Sequence, residues 1–171
     1  MSAPTSTIAD QPPSSSAVAP VPSDPAAAAA WQALTSPTGE YAAAALYQAV
    51  IAKFGQVQPY VSIEAAEQRH IAALSLQLQR FGVAVPANPY LGKLAAPADL
   101  RSAAQAGVTD ELRNVAMYDQ LLVAARGDAA LTRVLTNLRR ASMEMHLPAF
   151  QAAVENGGQL TPSQMARIGI S

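Results

Sequence analysis

Residues 65–74 read AAEQRHIAAL, and within them Glu67 and His70 stand three apart in a run of alanines and leucine. On a helix that spacing brings two side chains to one face, about 60° apart and nearly one turn along the axis. The same face carries Ile63, Ala66, Ala73, Leu74 and Gln77, so both ionisable groups lie on an apolar stripe. Burying either one without a partner costs several kcal/mol. Both can reach a single cation.

Ser62 is expected to cap this helix and Gly82 to stop it after Phe81. The preceding helix is expected from Ser36 (cap) and Pro37 (first helical position) to Phe54, before Gly55. Its inner face reads Glu40, Ala43, Ala44, Tyr47, Val50, Ile51 and Phe54. Residues 83–97 carry three prolines and no periodicity. Extended at ~3.3 Å per residue, they are long enough to run the length of a four-turn helix and join opposite ends of a bundle.

A third helix is expected from Pro97–Asp99 to Gly127, with Leu100, Ala104, Gly107, Glu111, Asn114, Val115, Tyr118, Leu121 and Ala125 inward. A fourth runs from Asp128 to Gly157, with Leu131, Val134, Leu135, Leu138, Ser142, Met145, His146, Ala149 and Ala153 inward. Pro148 is expected to kink it just after His146, since proline offers no N–H and clashes with the carbonyl four residues back. Thr161 to Gln164 reads as a capping box opening a last short turn.

The two halves resemble each other. EYAAAALYQ from Glu40 matches ELRNVAMYD from Glu111, each with a tyrosine seven residues on, Tyr47 and Tyr118. AEQRHIAAL from Ala66 matches SMEMHLPAF from Ser142, which aligns His70 with His146 and Glu67 with Met143. A repeated pair of helices implies approximate two-fold symmetry and a central site built from both halves. Glu111 lies sixteen residues before Gly127 and His146 nineteen after it, so the two are roughly level. Glu40 lies fifteen before Gly55 and Glu67 only twelve after it, partly through extended chain.

Composition narrows the chemistry. Half of the 171 residues are hydrophobic, alanine the commonest of them, and 13% are charged, against roughly 25% in an average domain. Eleven Lys/Arg against twelve Asp/Glu leave a net charge of −1, without the basic excess that binding a phosphate backbone requires. No cysteine is present, which excludes thiol catalysis, thiolate zinc sites and an iron–sulfur centre of the chain's own. No run of apolar residues is long enough for a membrane span. Residues 1–37 hold seven of the thirteen prolines and only Asp10 and Asp24 as charges. They read as a flexible Pro/Ala/Ser-rich tail, in which residues 26–34 are a short helix candidate with Trp31 able to dock on the body. They lack the basic and apolar regions of a secretory leader, so the expected location is cytoplasmic, with tethering to an assembly or envelope left open. Residues 38–158 are the bundle and 159–171 a short extension.

Three of six glutamates, Glu40, Glu67 and Glu111, and both histidines fall on inner faces. The economical account is that they neutralise one another around a cation. Carboxylate with imidazole suits iron, manganese or zinc, whereas copper(I) prefers sulfur.

This array resembles the ferritin-like di-iron carboxylate superfamily. Over residues 39–154 it is similar, more narrowly, to an uncharacterised family of small bacterial and archaeal ferritin-like domain proteins. The likeness rests on EYAAAALYQAVIAKFG, AAEQRHIAAL, DELRNVAMYDQLL and NLRRASMEMHLPAF. It implies an all-α four-helix bundle of two helical hairpins joined by one long crossover. It implies one or two ions of iron or manganese, with Glu40 and Glu111 as terminal ligands, Glu67 as bridge, and one imidazole per metal from His70 and His146. Iron oxidation or peroxide and oxygen handling would follow, as a ferroxidase or peroxidase-like oxidoreductase supplied by an external reductant or by iron itself. A homodimer is a further implied partner. The superfamily expects glutamate where Met143 stands, and Glu144, two residues from His146, lies on the other side of a regular helix.

Set beside these are simpler readings. Tyr47 and Tyr118 are core aromatics whose hydroxyls bond a neighbouring carboxylate, or tyrosines beside the metals that are redox-active or support the ligands. Glu64, Glu144, Glu155 and Arg139–Arg140 are solvated faces, Met117, Met143 and Met145 pack, and Asp119 either orients a histidine or sits at the surface. The rival reading of the whole chain is a catalytically silent structural or interaction bundle, or one that sequesters metal without turnover.

Overall fold

The computed structural model describes residues 21–169, and the tail expected over residues 1–20 lies outside them. All its regular elements are helical: α1 (Pro25–Thr35), α2 (Glu40–Phe54), α3 (Tyr60–Arg80), α4 (Leu100–Ala124), α5 (Ala129–Ala141), a π-helical turn (Ser142–His146), α6 (Leu147–Glu155) and α7 (Pro162–Arg167). Among the described residues no helix is long and apolar enough to cross a membrane.

Helix α1 revises the expected extent of the tail. The Asp24 carboxylate accepts from the Ala27 N–H at 2.8 Å, and Pro25 fills a first-turn position where its missing N–H does no harm. The alanine run then propagates, and Ala30, Ala33 and Leu34 are wholly buried with Trp31 beside them. Burying Leu34 alone contributes roughly 1.5–3 kcal/mol. This segment is therefore part of the core, as the docked Trp31 alternative anticipated. Ser36 closes α1 rather than opening α2, since its N–H donates to the Gln32 carbonyl. Gly39 caps α2 instead. A Cβ there would sit 2.4 Å from the Ala33 carbonyl oxygen, so only glycine permits this close turn.

The remaining boundaries lie near their expected positions. Helix α3 begins at Tyr60, two residues ahead of Ser62, and ends at Arg80. Asp99 and Asp128 cap α4 and α5 through Ser102 N–H and Leu131 N–H. The Thr161–Gln164 capping box opens α7.

Helix α2 packs on α3, α4 packs on α5 and α6, and α1 lies against α3, α4 and α2. Residues 81–99 run along α2 from its N-terminus to its C-terminus. The Tyr41 hydroxyl donates to the Pro86 carbonyl at 2.7 Å, and the Lys53 ammonium donates to the Pro97 carbonyl at 2.7 Å. Tyr90 ties the same segment to Thr35 at the end of α1. These bonds explain how a proline-rich stretch without periodicity stays ordered.

Two apolar clusters fill the interior. One gathers Trp31, Leu34, Leu74, Leu78, Leu131 and Leu135 around α1, and includes Tyr118. The other gathers Val50, Tyr60, Ile63, Phe150, Leu160 and Met165, and includes Tyr47. Tyr118 and Tyr47 reach the same group of buried carboxylates, one from each cluster. The polar residues thus sit between two dry layers.

Candidate metal centre

The structure brings together all five residues singled out as ligands. Glu40 comes from the first turn of α2, Glu67 and His70 from α3, Glu111 from α4, and His146 from the end of the π-turn. Glu40, Glu67, Glu111 and His146 are buried, and only the His70 side chain, 13% exposed, reaches toward solvent.

They divide into two overlapping trios, Glu40–Glu67–His70 and Glu67–Glu111–His146, whose donor atoms lie within 4.8 Å of one another. Glu67 belongs to both. Its Oε2 lies 3.1 Å from His70 Nδ1, and its Oε1 lies 3.1 Å from His146 Nδ1. Glu40 Oε2 completes the first trio at 3.1 Å from His70 Nδ1, and Glu111 Oε1 the second at 3.5 Å from His146 Nδ1. The imidazoles stack with centroids 5.5 Å apart and planes inclined by 21°. The uneven spacing about Gly55 is thus no obstacle to bringing Glu40 level with Glu67.

One observation points beyond ion pairing. His146 Nδ1 is fully buried and makes no hydrogen bond, although it is aimed between Glu67 and Glu111. Buried polar atoms are almost always satisfied, and an exception calls for a missing partner. Three carboxylates and two imidazoles with inward donor atoms fit a divalent cation of the iron, manganese or zinc class.

The charges of the cluster are mutually adjusted. Burial, and then the neighbouring Glu67 charge, push the Glu40 carboxyl up to about 7. Burial acts the same way on Glu67, but the adjacent Glu40, His146 and His70 outweigh it and bring that carboxyl down to about 2. For His70, burial disfavours the cation, yet hydrogen bonds to Glu40 and Glu67 raise it to about 10. His146 also reaches about 10, against burial, through the nearby Glu111 and Glu67 carboxylates. Without a metal, protons on the imidazoles do the neutralising.

The tyrosines serve as hydrogen-bond donors to the buried carboxylates. Tyr47 donates to Glu111 Oε1 at 2.9 Å and Tyr118 donates to Glu40 Oε1. Burial, and then the adjacent carboxylates, raise both phenols well above their ordinary value, so they keep their protons.

The fourth face differs from expectation. The segment Ser142–His146 is a π-turn, and the Leu147 N–H donates to the Ser142 carbonyl five residues back. Pro148 accounts for it: in α-helical register its ring would meet the Glu144 carbonyl, and a wider turn just ahead relieves the clash. The wider turn also brings residue 142, not 143, under His146. Met143 is accordingly 46% exposed and Met145 is exposed as well, against the inward position read for Met145 and the ligand register read for Met143. Glu144 is exposed, as expected of a solvated charge.

Ser142 takes the inward place, and its hydroxyl donates to Asn114 Oδ1 at 2.7 Å. Asn114 Nδ2 in turn donates to the Thr38 carbonyl at 3.0 Å and comes within 3.5 Å of Glu40 Oε1. This Ser142–Asn114–Thr38 chain was missed as part of the site, although Ser142 and Asn114 were read as inner-face residues. Polar side chains on an apolar stripe were the available signal. Asp119 lies at the surface, paired with Arg139 at 2.6 Å, and orients no histidine. Thr38, Tyr47, Glu67, Glu111 and Asn114 also border a cavity of about 240 Å³.

Comparison with family models, curated proteins and solved structures gives no match. What can be said of function therefore rests on the geometry.

Proposed function

We propose that the protein is a ferritin-like metal-binding bundle whose centre holds two iron or manganese ions and handles iron, oxygen or peroxide. The observation that carries this reading is Glu67: each of its oxygens faces a different imidazole, and each imidazole has a further carboxylate of its own. That arrangement supports a bridging role for Glu67 and terminal roles for Glu40 and Glu111. Packing of α2 on α3 and of α4 on α5 and α6, with residues 81–99 crossing between the pairs, supports the two-hairpin topology.

Bound iron would supply the one-electron chemistry by which oxygen or peroxide is reduced. The chain contributes the rest. Glu40, Glu67, Glu111, His70 and His146 bind and space the ions, Tyr47 and Tyr118 orient two of the carboxylates, and the apolar clusters exclude bulk water. With no cysteine in the sequence, electrons come from ferrous iron as substrate or from an external donor. In the first case two ferrous ions give one electron each to one peroxide, which with two protons leaves as two waters.

Metal analysis of the purified protein tests the reading. The expected result is up to two ions per chain, falling sharply in Glu67→Ala and His70→Ala. Equal, near-zero metal in all three would overturn it.

A second reading, sequestration without turnover, is favoured by Ser142 at the inward place where a fourth carboxylate would stand. Consumption of ferrous iron or peroxide by the metal-loaded protein separates the two.

A further inference from the structure

We propose that the cavity beside Glu67 and Glu111 is the route by which divalent cations load the centre, and that Asp110 is the transit ligand on that route. The proposal rests on the metal-centre reading and adds to it an order of events. Walls of Thr38, Ala42, Leu46, Leu94 and Asn114 enclose about 240 Å³. The charged side chains lining it are all carboxylates: Asp110, Glu67 and Glu111.

These three form a gradient of exposure. The Asp110 side chain is 38% exposed and meets water, whereas Glu67 and Glu111 are each 3% exposed. A recess lined by one sign of charge between apolar walls focuses its field and concentrates the opposite ion. The partner of Asp110 is Arg113, whose Nη1 lies 3.5 Å from Asp110 Oδ1 and whose side chain is 64% exposed. Such a solvated pair contributes little and is readily exchanged for a cation.

The route ends on an imidazole nitrogen that makes no hydrogen bond. His146 Nδ1 is buried and without a hydrogen bond, aimed between the two carboxylates that border the inner side of the cavity. Glu40 and His70 do not border it. An ion that passes Asp110 therefore reaches the Glu67–Glu111–His146 position first, and Glu67 is the link from there to the Glu40–His70 position.

Stopped-flow uptake of cobalt(II), followed by its visible absorbance in metal-free full-length protein, tests this. Asp110→Asn is nearly isosteric and is expected to slow uptake about tenfold or more at low ionic strength. The final cobalt per chain should match the wild type, and the rate difference should shrink as salt is added. Ala43→Phe, which fills the cavity from α2, is expected to slow uptake at all salt concentrations. Wild-type rates in Asp110→Asn, or in Ala43→Phe, would overturn the route while leaving the metal centre standing. A wild-type protein that takes up no cobalt would overturn both.

Discussion

Tyr47 donates its hydroxyl to Glu111 Oε1 at 2.9 Å from within the apolar cluster around Phe150, and its ring lies 5.2 Å from that of Phe150. A carboxylate of the candidate metal centre is thereby held by a phenol that packing holds in turn. Outer groups of this kind orient ligands, and their loss typically lowers metal affinity about 10–100-fold. Tyr47→Phe removes the hydroxyl and keeps the ring. We expect the same number of ions per chain at an affinity lowered by that factor, measured by competition with a chromophoric chelator. Unchanged affinity would mean that the bond to Glu111 orients nothing.

Metal should stabilise the fold through the same five residues. An ion that binds only the native state adds about 2.7 kcal/mol when free at a hundred times its Kd, or about 5–10 °C in Tm for a chain of this size. Ferrous iron or manganese(II) added to stripped protein should produce such a shift. Glu67→Gln, which removes the charge shared by both trios, should abolish it. Equal shifts in the two proteins would place the ion elsewhere.

The pH dependence of the metal-free protein follows from the same charges. His70 and His146 are raised from 6.5 to about 10, so their contribution is complete below 6.5 and is lost as pH rises toward 10. Glu40, raised from 4.5 to about 7, acts in the same direction: the unfolded chain ionises it first, so stability declines between those values. Glu67, lowered to about 2, opposes them in acid, where its contribution disappears as pH falls from 4.5 toward 2. Urea melts of stripped protein should therefore be steepest in decline between pH 6.5 and 10. Metal uptake in that range should release protons and strengthen with pH. Stability flat from pH 6.5 to 10 would contradict the imidazolium–carboxylate pairing.

The π-turn makes a prediction that a regular helix would not. Met143→Glu creates Glu-x-x-His in sequence, but position 143 faces solvent. Metal content should be unchanged and stability altered by less than about 0.5 kcal/mol. Ser142→Ala, a smaller change, leaves Asn114 Oδ1 without its donor in a buried place and should cost about 1–3 kcal/mol. A gain of metal affinity in Met143→Glu would mean that the segment takes α-helical register in solution.

These contrasts mark what was legible in the sequence. Glu40, Glu67, His70, Glu111 and His146 were readable because helical periodicity is insensitive to small boundary errors, and ionisable groups on apolar stripes stand out. The outward turn of Met143 and Met145 was not, because Pro148 was expected to bend the helix, whereas it is met by a wider turn that rotates the preceding residues. Helix α1 was half legible: residues 26–34 were a helix candidate with Trp31 able to dock, but composition assigned them to the tail. Alanine and proline suggest a tail, and only Asp24 and Pro25 in capping register, with Trp31 six residues on, distinguish a docked helix. The clustering of Asn114 and Thr38 with Glu40 depends on contacts more than seventy residues apart, which no local pattern carries.

Gly107 on α4 tests how the apolar layer bears on the centre. A Cβ added there would lie 2.7 Å from the Phe150 ring, inside any tolerable contact. Phe150 is fully buried between Tyr47 and Tyr60, with ring centroids at 5.2 and 5.7 Å, so it has little room to yield. Overpacking of this kind typically costs about 1–3 kcal/mol, and Gly107→Ala should show it in denaturant melts of stripped protein. The displaced ring presses on Tyr47, which holds Glu111, so metal affinity should fall along with stability. The double variant Gly107→Ala with Tyr47→Phe should then lose less affinity than the two single losses combined, because both act through one hydrogen bond. Strict additivity would show that the strain at Phe150 never reaches the ligand.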